Sequence, residues 1–433
     1  MFAQTFTDAG LRYIPHFFEV PLDYNAPDNG QITVFAREVR LAEEHTTNKP
    51  WLVYFQGGPG FPSPRQNGNQ GWVKRALHTY RILLLDQRGT GNSSVISHQT
   101  LAGMNATQQA DYLSHFRADN IVRDAEFIRE QFGVKQWAIL GQSFGGFCSL
   151  TYLSLFPDSL LRSYITGGVP SIVRHPDDVY RATFQHTKQK NHAFFQQFPQ
   201  AQAQCQRIAD HLLAHEEFLP NGQRLTVEQF QQLGICFGMS DTFVPTYYLL
   251  ENAFIEVEGK PRLRYEFLHE ILAQQSFQTH PIYALLHESI YCQGFASEWS
   301  AHRIRQQEYA EFNYQSGQPF LFTGEMVFPW MFEQYTNLQP LQEAAQILAE
   351  KNDWAPLYDA EQLAHNRVPV SCAVYADDMF VDMAFSRETL AAIPNAKAWI
   401  TNEYEHNGLR ADGERILDKL IQIGDQTASI LDM

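Results

Sequence analysis

The chain has 433 residues, of which 44% are hydrophobic and 18% are charged, and its formal net charge is -16. This composition is typical of a soluble globular protein, and the length allows a large core. The acidic balance disfavours nucleic acid and anionic membrane surfaces as partners, because both attract basic proteins.

The cysteines and the first residues of the chain bear on where the protein works. Five cysteines, an odd number without a Cys-x-x-Cys spacing, indicate neither a disulfide framework nor a zinc site. The first residues lack a basic stretch followed by an apolar core, and no stretch approaches the roughly 18 apolar residues of a membrane span. We therefore expect a cytoplasmic protein.

The first predicted elements are extended. Residues 13–21 and 31–40 flank the turn residues 25–30, a pattern that predicts a β-hairpin. Residues 51–55 then form an apolar run, typical of a strand buried on both faces of a parallel sheet, and lead into a Gly-Gly-Pro-Gly loop. This loop is either an ordinary tight turn or a source of free backbone N–H groups, and the amide of Gly58 is then a candidate oxyanion donor.

Residues 81–86 repeat this design, with a buried strand that ends in a loop rich in glycine and charge. Buried charges need partners, so we expect Asp86 and Arg88 to form a structural ion pair near the site rather than to act as catalysts. Residues 119–132 have apolar residues at helical spacing and are followed by Gly133, which predicts a helix.

The segment from Trp137 to Phe156 joins two apolar runs through Gly-Gln-Ser143-Phe-Gly. Glycines on both sides of a serine allow a strained turn between a strand and a helix, the pattern of a nucleophile elbow. Ser143 would then be exposed at the carboxyl end of a central strand, and the amide of Phe144 would be the second oxyanion donor. The pattern is short, and the alternative is a glycine-rich turn with a solvated serine.

The remaining elements predict the domain organisation. A strand over residues 161–168 continues an alternating α/β pattern with a parallel sheet. Between about residues 170 and 350 helical segments such as 227–233 and 247–256 dominate, and aromatic residues cluster. This change predicts a helical cap over the carboxyl edge of the sheet, where open α/β folds bind ligands.

The sheet pattern resumes with strands over residues 368–378 and 396–401, followed by an amphipathic helix over residues 413–423. We therefore divide the chain into three parts. A core of residues 1–169 and 351–433 would carry the sheet, and the cap would comprise residues 170–350.

Two late loops carry candidate partners for Ser143. Serine catalysis needs a histidine as base and a carboxylate that orients it. In a sheet of this type both residues come after the serine in the chain, first the acid and then the histidine, each on the loop after a late strand. Of 16 histidines, only His406 has this chain order, a strand-end position and a neighbouring glycine loop. Asp378 is the candidate acid, Asp377 is its rival, and Asp382 is a weaker third.

Four motifs together resemble the proline iminopeptidase (prolyl aminopeptidase) family of the larger bacterial type. They are Gln56-Gly-Gly-Pro-Gly60, Asp86-Gln-Arg-Gly-x-Gly-x-Ser93, Gly141-Gln-Ser-Phe-Gly-Gly146 and Glu405-His-Asn-Gly-Leu409. The resemblance spans nearly the whole chain and implies an α/β-hydrolase fold, with a mostly parallel central sheet and an inserted helical cap.

The resemblance also implies roles for single residues. Ser143 matches the nucleophile, Asp378 the acid and His406 the base, while the amides of Gly58 and Phe144 match the oxyanion hole. The family commonly has histidine where this chain has glutamine at position 56. This departure should leave the backbone donors intact but change what orders the loop.

The activity implied by the resemblance is release of amino-terminal proline from short peptides through an acyl-enzyme, without a metal or organic cofactor. The family holds the α-ammonium group of the substrate with glutamates of the cap, and Glu251 and Glu325 are the first and second candidates here. Glu288 is a distant third, and for each glutamate a solvated helix face is the alternative. The other glutamate motif of smaller relatives, a tryptophan just before glutamate, is not recognisable in this sequence. The identity of a second glutamate that binds the α-ammonium group is therefore left open.

Other functions stay open at this stage. An esterase or a tripeptide-releasing aminopeptidase would use the same serine, and a hydrolase-fold binding protein would have lost its activity. Assembly into a homo-oligomer is left undecided by the sequence.

Overall fold

The computed structural model describes residues 3–44 and 48–431. The strands are, in chain order, β1 (Phe6–Asp8), β2 (Leu11–Pro21), β3 (Gln31–Leu41), β4 (Trp51–Phe55), β5 (Arg81–Asp86), β6 (Trp137–Gln142), β7 (Leu160–Thr166), β8 (Glu217–Phe218), β9 (Arg224–Leu225), β10 (Phe254–Val257), β11 (Lys260–Leu263), β12 (Val370–Tyr375) and β13 (Ala396–Thr401). Within these ranges a nine-stranded sheet has the order β1-β2-β3-β5-β4-β6-β7-β12-β13.

The sheet is mostly parallel. All neighbours from β5 to β13 pair in parallel, whereas β1, β2, β3 and β5 pair antiparallel in that order. The predicted hairpin is confirmed, since β2 pairs with β3 from Leu11 opposite Leu41 to Pro21 opposite Gln31. Strands β4 and β12 are buried at every position, because helices cover both faces of a parallel sheet.

Helices occupy most of the remaining chain. They are α1 (Gly71–Thr79), α2 (Ala106–Ser114), α3 (Ala118–Gln131), α4 (Phe144–Leu155), α5 (Pro176–Gln197), α6 (Pro199–Ala214), α7 (Val227–Gln231), α8 (Phe243–Glu251), α9 (Tyr265–Ala273), α10 (Ser276–Thr279), α11 (Pro281–Leu286), α12 (Ser300–Glu308), α13 (Met331–Gln334), α14 (Gln342–Glu350), α15 (Ala360–Ala364), α16 (Met383–Ala391), α17 (Gly408–Ala411) and α18 (Gly413–Leu431). In the described part of the chain no helix is both long and apolar enough to span a bilayer.

The segment between β7 and β12 contains α5 to α15 and two small hairpins, β8–β9 and β10–β11. The prediction of a helix over residues 247–256 is wrong in its second half, because α8 ends at Glu251 and β10 follows. The turn residues Glu258 and Gly259 both have positive φ, as the tight turns that join hairpin strands require. Gly259 is the sequence signal that marks this turn.

Two apolar clusters divide this segment in a way that the sequence did not predict. One cluster, built around Phe194, Phe230 and Phe322, lies within the segment and reaches Phe380 of the late core. By contrast, Tyr283 and Phe328 belong to the large cluster that also covers one face of the sheet. The proposed boundaries near residues 170 and 350 therefore stay a prediction.

Asp86 and Arg88 are both buried, but they do not pair with each other, so the expected ion pair is wrong. Arg65 donates to both carboxylate oxygens of Asp86, at 2.7 and 2.6 Å. Arg88 donates through Nε to Asp124 of α3 at 2.7 Å and also reaches three backbone carbonyls. Each buried charge is thus paired with a residue distant in the chain, 21 positions away for Asp86 and 36 for Arg88.

The pair of Arg88 and Asp124 gives a stability prediction. Replacing Arg88→Met leaves the Asp124 carboxylate buried without a cation, which should lower the free energy of unfolding by about 3–5 kcal/mol. Denaturant titration of the purified protein measures this change. Lys74→Met is the control, since Lys74 lies 3.0 Å from Glu414 with both side chains nearly half exposed, and should cost less than about 1 kcal/mol. Equal losses in the two variants would contradict the argument.

Candidate active site

Ser143 occupies the turn between β6 and α4 in a strained conformation, with φ 54° and ψ -124°. The two neighbouring glycines are required by close packing. A Cβ on Gly145 would lie 2.0 Å from the carbonyl oxygen of Phe55, and one on Gly141 would lie 2.2 Å from the carbonyl oxygen of Gly145. The Gly-x-Ser-x-Gly spacing therefore follows from backbone contact between β4, β6 and α4.

His406 lies between Ser143 and Asp378. Its Nε2 is 2.9 Å from the Oγ of Ser143, and its Nδ1 is 2.8 Å from the Oδ2 of Asp378. The other oxygen of Asp378 accepts hydrogen bonds from the backbone N–H groups of Phe380 and Val381. Because Asp378 is an acceptor, Nδ1 carries the proton and Nε2 is free to accept the hydroxyl proton of Ser143.

The rival aspartates have other surroundings. Asp377 is exposed. Asp382 caps the first turn of α16 through the N–H of Phe385 and bonds the Nε2 of His186 at 2.8 Å. Of the three candidates, the structure therefore brings only Asp378 to His406.

The charge of His406 is set by opposing effects. Burial by itself lowers the pKa of this imidazole, but the charge and hydrogen bond of Asp378 and the charge of Glu325 outweigh burial. The pKa of His406 therefore lies above its ordinary value. Since a base works only when neutral, chemistry that depends on His406 should fade as the pH falls through this raised pKa.

The loop after β4 approaches the serine closely, since a Cβ on Gly57 would lie 2.8 Å from the Cβ of Ser143. Gln56, which stands where the family commonly has histidine, holds the start of the loop. Its side-chain oxygen accepts from the hydroxyl of Tyr54 at 2.8 Å, and its carbonyl accepts from Gln87 at 3.0 Å. The roles of the Gly58 and Phe144 amides as oxyanion donors stay a prediction.

Glu325 is the candidate glutamate that lies near His406. It is 12% exposed, one carboxylate oxygen accepts from the hydroxyl of Tyr283, and the other is 3.8 Å from the Nε2 of His287. Burial lowers the pKa of His287, so that this imidazole is neutral near pH 7. No other ion pair to Glu325 occurs within the described residues.

The other two glutamates differ. Glu251 is exposed at the end of α8, and no hydrogen bond or ion pair in the described ranges links it to the residues around Ser143. Glu288 is buried and accepts the backbone N–H groups of Ser300 and Ala301 at the start of α12. Burial raises the pKa of Glu288 to about 7. Glu288 therefore has a helix-capping role, and the binding of the substrate by Glu325 or Glu251 stays a prediction.

Helix α5, which sequence reasoning did not select, contacts three loops of the site. Lys190 pairs with Glu405, the residue before His406, at 2.7 Å. His186, one turn earlier, bonds Asp382 in the loop after Asp378. Asn191 bonds both backbone groups of Phe322, three residues before Glu325. Only the spacing of four between His186 and Lys190 is visible in the sequence, and it carries no sign of these partners.

The class of protein follows from the fold and is supported by comparison. A family model described as the alpha/beta hydrolase fold matches residues 50–235. The parallel sheet, the serine elbow and the late-loop histidine and aspartate agree with this match, so the chain is an α/β hydrolase. In the part of the chain that the structure describes, no group of three His, Cys, Asp or Glu residues could hold a metal ion.

Similar proteins narrow the class further. The chain is 58% identical over 416 residues to a proline iminopeptidase from Aeromonas sobria, which covers 96% of this chain and 97% of that protein. It is 33% identical over 417 residues to proline iminopeptidase aneH from Aspergillus aculeatus, covering 94% and 92%. A tripeptidyl aminopeptidase from Streptomyces lividans is 26% identical over 183 residues, 34% of each chain. The chain belongs to the proline iminopeptidase family, which confirms the resemblance of its motifs.

The contact between α5 and the histidine loop gives a prediction. Lys190 binds one carboxylate oxygen of Glu405, and the other oxygen is buried without a hydrogen-bond partner among the described residues. The position of this carboxylate therefore depends on its contact with Lys190. Lys190→Met should displace the loop that carries His406 and slow labelling of Ser143 by a fluorophosphonate probe about tenfold, because small misplacements of reacting groups are costly.

The matched control for this prediction lies on the same helix. Lys188 pairs with Glu311 at 2.8 Å, and both side chains are exposed. Lys188→Met should leave the labelling rate within about twofold, because exposed ion pairs contribute little. A slow rate in both variants would mean that α5 acts only through general stability.

Proposed function

We propose that the protein is a serine aminopeptidase that releases amino-terminal proline from short peptides. The observation that carries this proposal is the carboxylate of Glu325, which is largely buried, affects the pKa of His406 and has no cationic partner among the described residues. A buried charge normally needs a partner, and the ammonium group of a peptide amino terminus would supply one. The names of the two relatives that cover most of the chain agree with this proposal.

In the proposed reaction, Ser143 is the nucleophile and His406 the base. His406 accepts the hydroxyl proton as Oγ attacks the carbonyl carbon of the amino-terminal proline, and the amides of Gly58 and Phe144 stabilise the oxyanion. The imidazolium, held by Asp378, then gives its proton to the leaving amide nitrogen, and the shortened peptide departs. Water, deprotonated by His406, attacks the acyl-enzyme, and His406 returns this proton to the Oγ of Ser143 as proline is released. One oxyanion donor typically contributes about 3 kcal/mol.

Recognition of the amino-terminal residue would combine charge and aromatic packing. Glu325 would bind the secondary ammonium group of proline, while aromatic rings pack against the pyrrolidine ring. Tyr283 both donates to Glu325 and stacks on Phe277, with ring centres 4.3 Å apart, and Phe61 lies edge-on to it at 5.1 Å. These contacts keep the Tyr283 hydroxyl in place.

We also propose a cytoplasmic location and short peptides as the partners of the enzyme. All five cysteines are unpaired, as is usual in a reducing compartment. The acidic surface suits soluble substrates rather than nucleic acid.

The proposed function is tested by the rate of release from proline 2-naphthylamide and from its N-acetylated form. The free amine should be cleaved and the acetylated compound should not, because acetylation removes the charge that Glu325 binds. Ser143→Ala should abolish release. Cleavage of both compounds would instead indicate an esterase or another peptidase of this fold.

The two candidate glutamates are separated by a matched pair of variants. Glu325→Gln should lower kcat/KM about 10- to 100-fold, since a hydrogen bond to a charged group contributes about 1.5–3 kcal/mol. It should also move the acid limb of the pH profile to lower pH, because the Glu325 charge helps to raise the pKa of His406. Glu251→Gln, at an exposed position, should change neither quantity. The reverse pattern would assign the ammonium site to Glu251.

A further inference from the structure

A cleft of about 910 Å³ opens beside His406. Gln56 and Gln142, the residues before the glycine loop and before Ser143, lie in its wall, and it extends to Gly71 and Gly413 where α1 and α18 begin. Its volume is near the upper end of the range of ligand pockets, so it exceeds the space that one amino-acid residue needs.

The direction of the reaction determines what this cleft can hold. His406 must come within hydrogen-bond distance of the scissile nitrogen to protonate it, so the peptide beyond that nitrogen begins beside His406. Glu325 and Tyr283, which we assign to the proline itself, are not among the residues that line the cleft. The cleft is therefore separate from the proposed ammonium site, although the charge of Glu325 still acts on His406.

We propose that this cleft binds the residues that follow the scissile bond, as extended peptide backbone. The inference rests on the proposed function, because it takes a peptide as the substrate. It assigns a subsite for the leaving peptide, bordered by the amino-terminal ends of α1 and α18.

The chemistry of the wall supports an uncharged backbone as the ligand. Side-chain amides of Gln66, Gln70, Gln142 and Asn407 line the cleft. The amides of Gln70 and Asn407 already bond Asn67 and Asp241, whereas those of Gln66 and Gln142 have no hydrogen bond among the described residues. A side-chain amide both donates and accepts, as a peptide backbone requires, and such bonds do not discriminate between the side chains of the ligand. We therefore expect tolerance for the residues after proline.

Two charged groups at the rim form ion pairs, and a third, Asp412, accepts a hydrogen bond from the hydroxyl of Tyr404. Arg410 lies 2.9 Å from Asp241, and Glu414 lies 3.0 Å from Lys74. A charged ligand would have to compete with these pairs, whereas a neutral backbone would not. Contacts made far from the reacting bond can also increase the rate of the chemical step.

The test uses a series of amidated substrates with a growing glycine tail, from prolinamide to Pro-Gly-NH2, Pro-Gly-Gly-NH2 and Pro-Gly-Gly-Gly-NH2. Glycine offers only backbone, and the amide keeps the terminal charge from changing along the series. For the native enzyme we expect kcat/KM to rise about tenfold along the series and then to level off.

A matched pair of variants locates the effect. Ala411, the exposed last residue of α17, lines the cleft, and Ala411→Trp should obstruct it. This variant should remove the tenfold gain with length and leave the hydrolysis of prolinamide unchanged. Ala391, the exposed last residue of α16, does not line the cleft, and Ala391→Trp should behave as the native enzyme.

The outcomes separate this inference from the function on which it rests. A flat series with active hydrolysis of prolinamide would overturn the cleft proposal and leave the aminopeptidase proposal intact. Equal losses on all substrates in Ala411→Trp would also overturn it. Failure of the native enzyme on prolinamide and on every longer substrate would overturn the proposed function itself.

Discussion

Direct contact between backbones around Ser143 is the constraint on which the site depends. A Cβ on Gly146 would lie 2.1 Å from the carbonyl oxygen of Gly168, and one on Gly168 would lie 2.2 Å from that of Ser143. With Gly145 against Phe55, these contacts pack the elbow between β4 and the end of β7. The strained φ of Ser143 persists because its surroundings leave no relaxed alternative.

The electrostatics of the site link recognition to base strength. Asp378 and Glu325 are both carboxylates whose charge raises the pKa of His406. Both oxygens of Asp378 accept hydrogen bonds, whereas one oxygen of Glu325 does so among the described residues. In the proposed complex the ammonium group of the substrate would neutralise Glu325. The pKa of His406 would then fall, so a greater fraction of the base would be neutral when substrate is bound.

Helix α5 connects the segment between β7 and β12 to the loops that carry the candidate site residues. Through His186, Lys190 and Asn191 it contacts the loops of the acid, the base and the candidate substrate glutamate. A displacement of α5 would therefore move all three loops together. Such coupling explains why a residue remote from the chemistry can matter for it.

Local patterns in the sequence determined the strands β2 to β7, β12 and β13, the elbow and the order of the candidate catalytic residues, because burial and glycine spacing are encoded within a few neighbouring residues. Only the tertiary structure brought Asp378 rather than Asp377 to His406, gave Asp86 and Arg88 separate partners, and buried Glu325 while leaving Glu251 exposed. These choices depend on which loops meet, and Ser143 and His406, for example, are 263 positions apart. No local periodicity records contacts over such a separation, since they arise only when the sheet brings its strand ends to one edge.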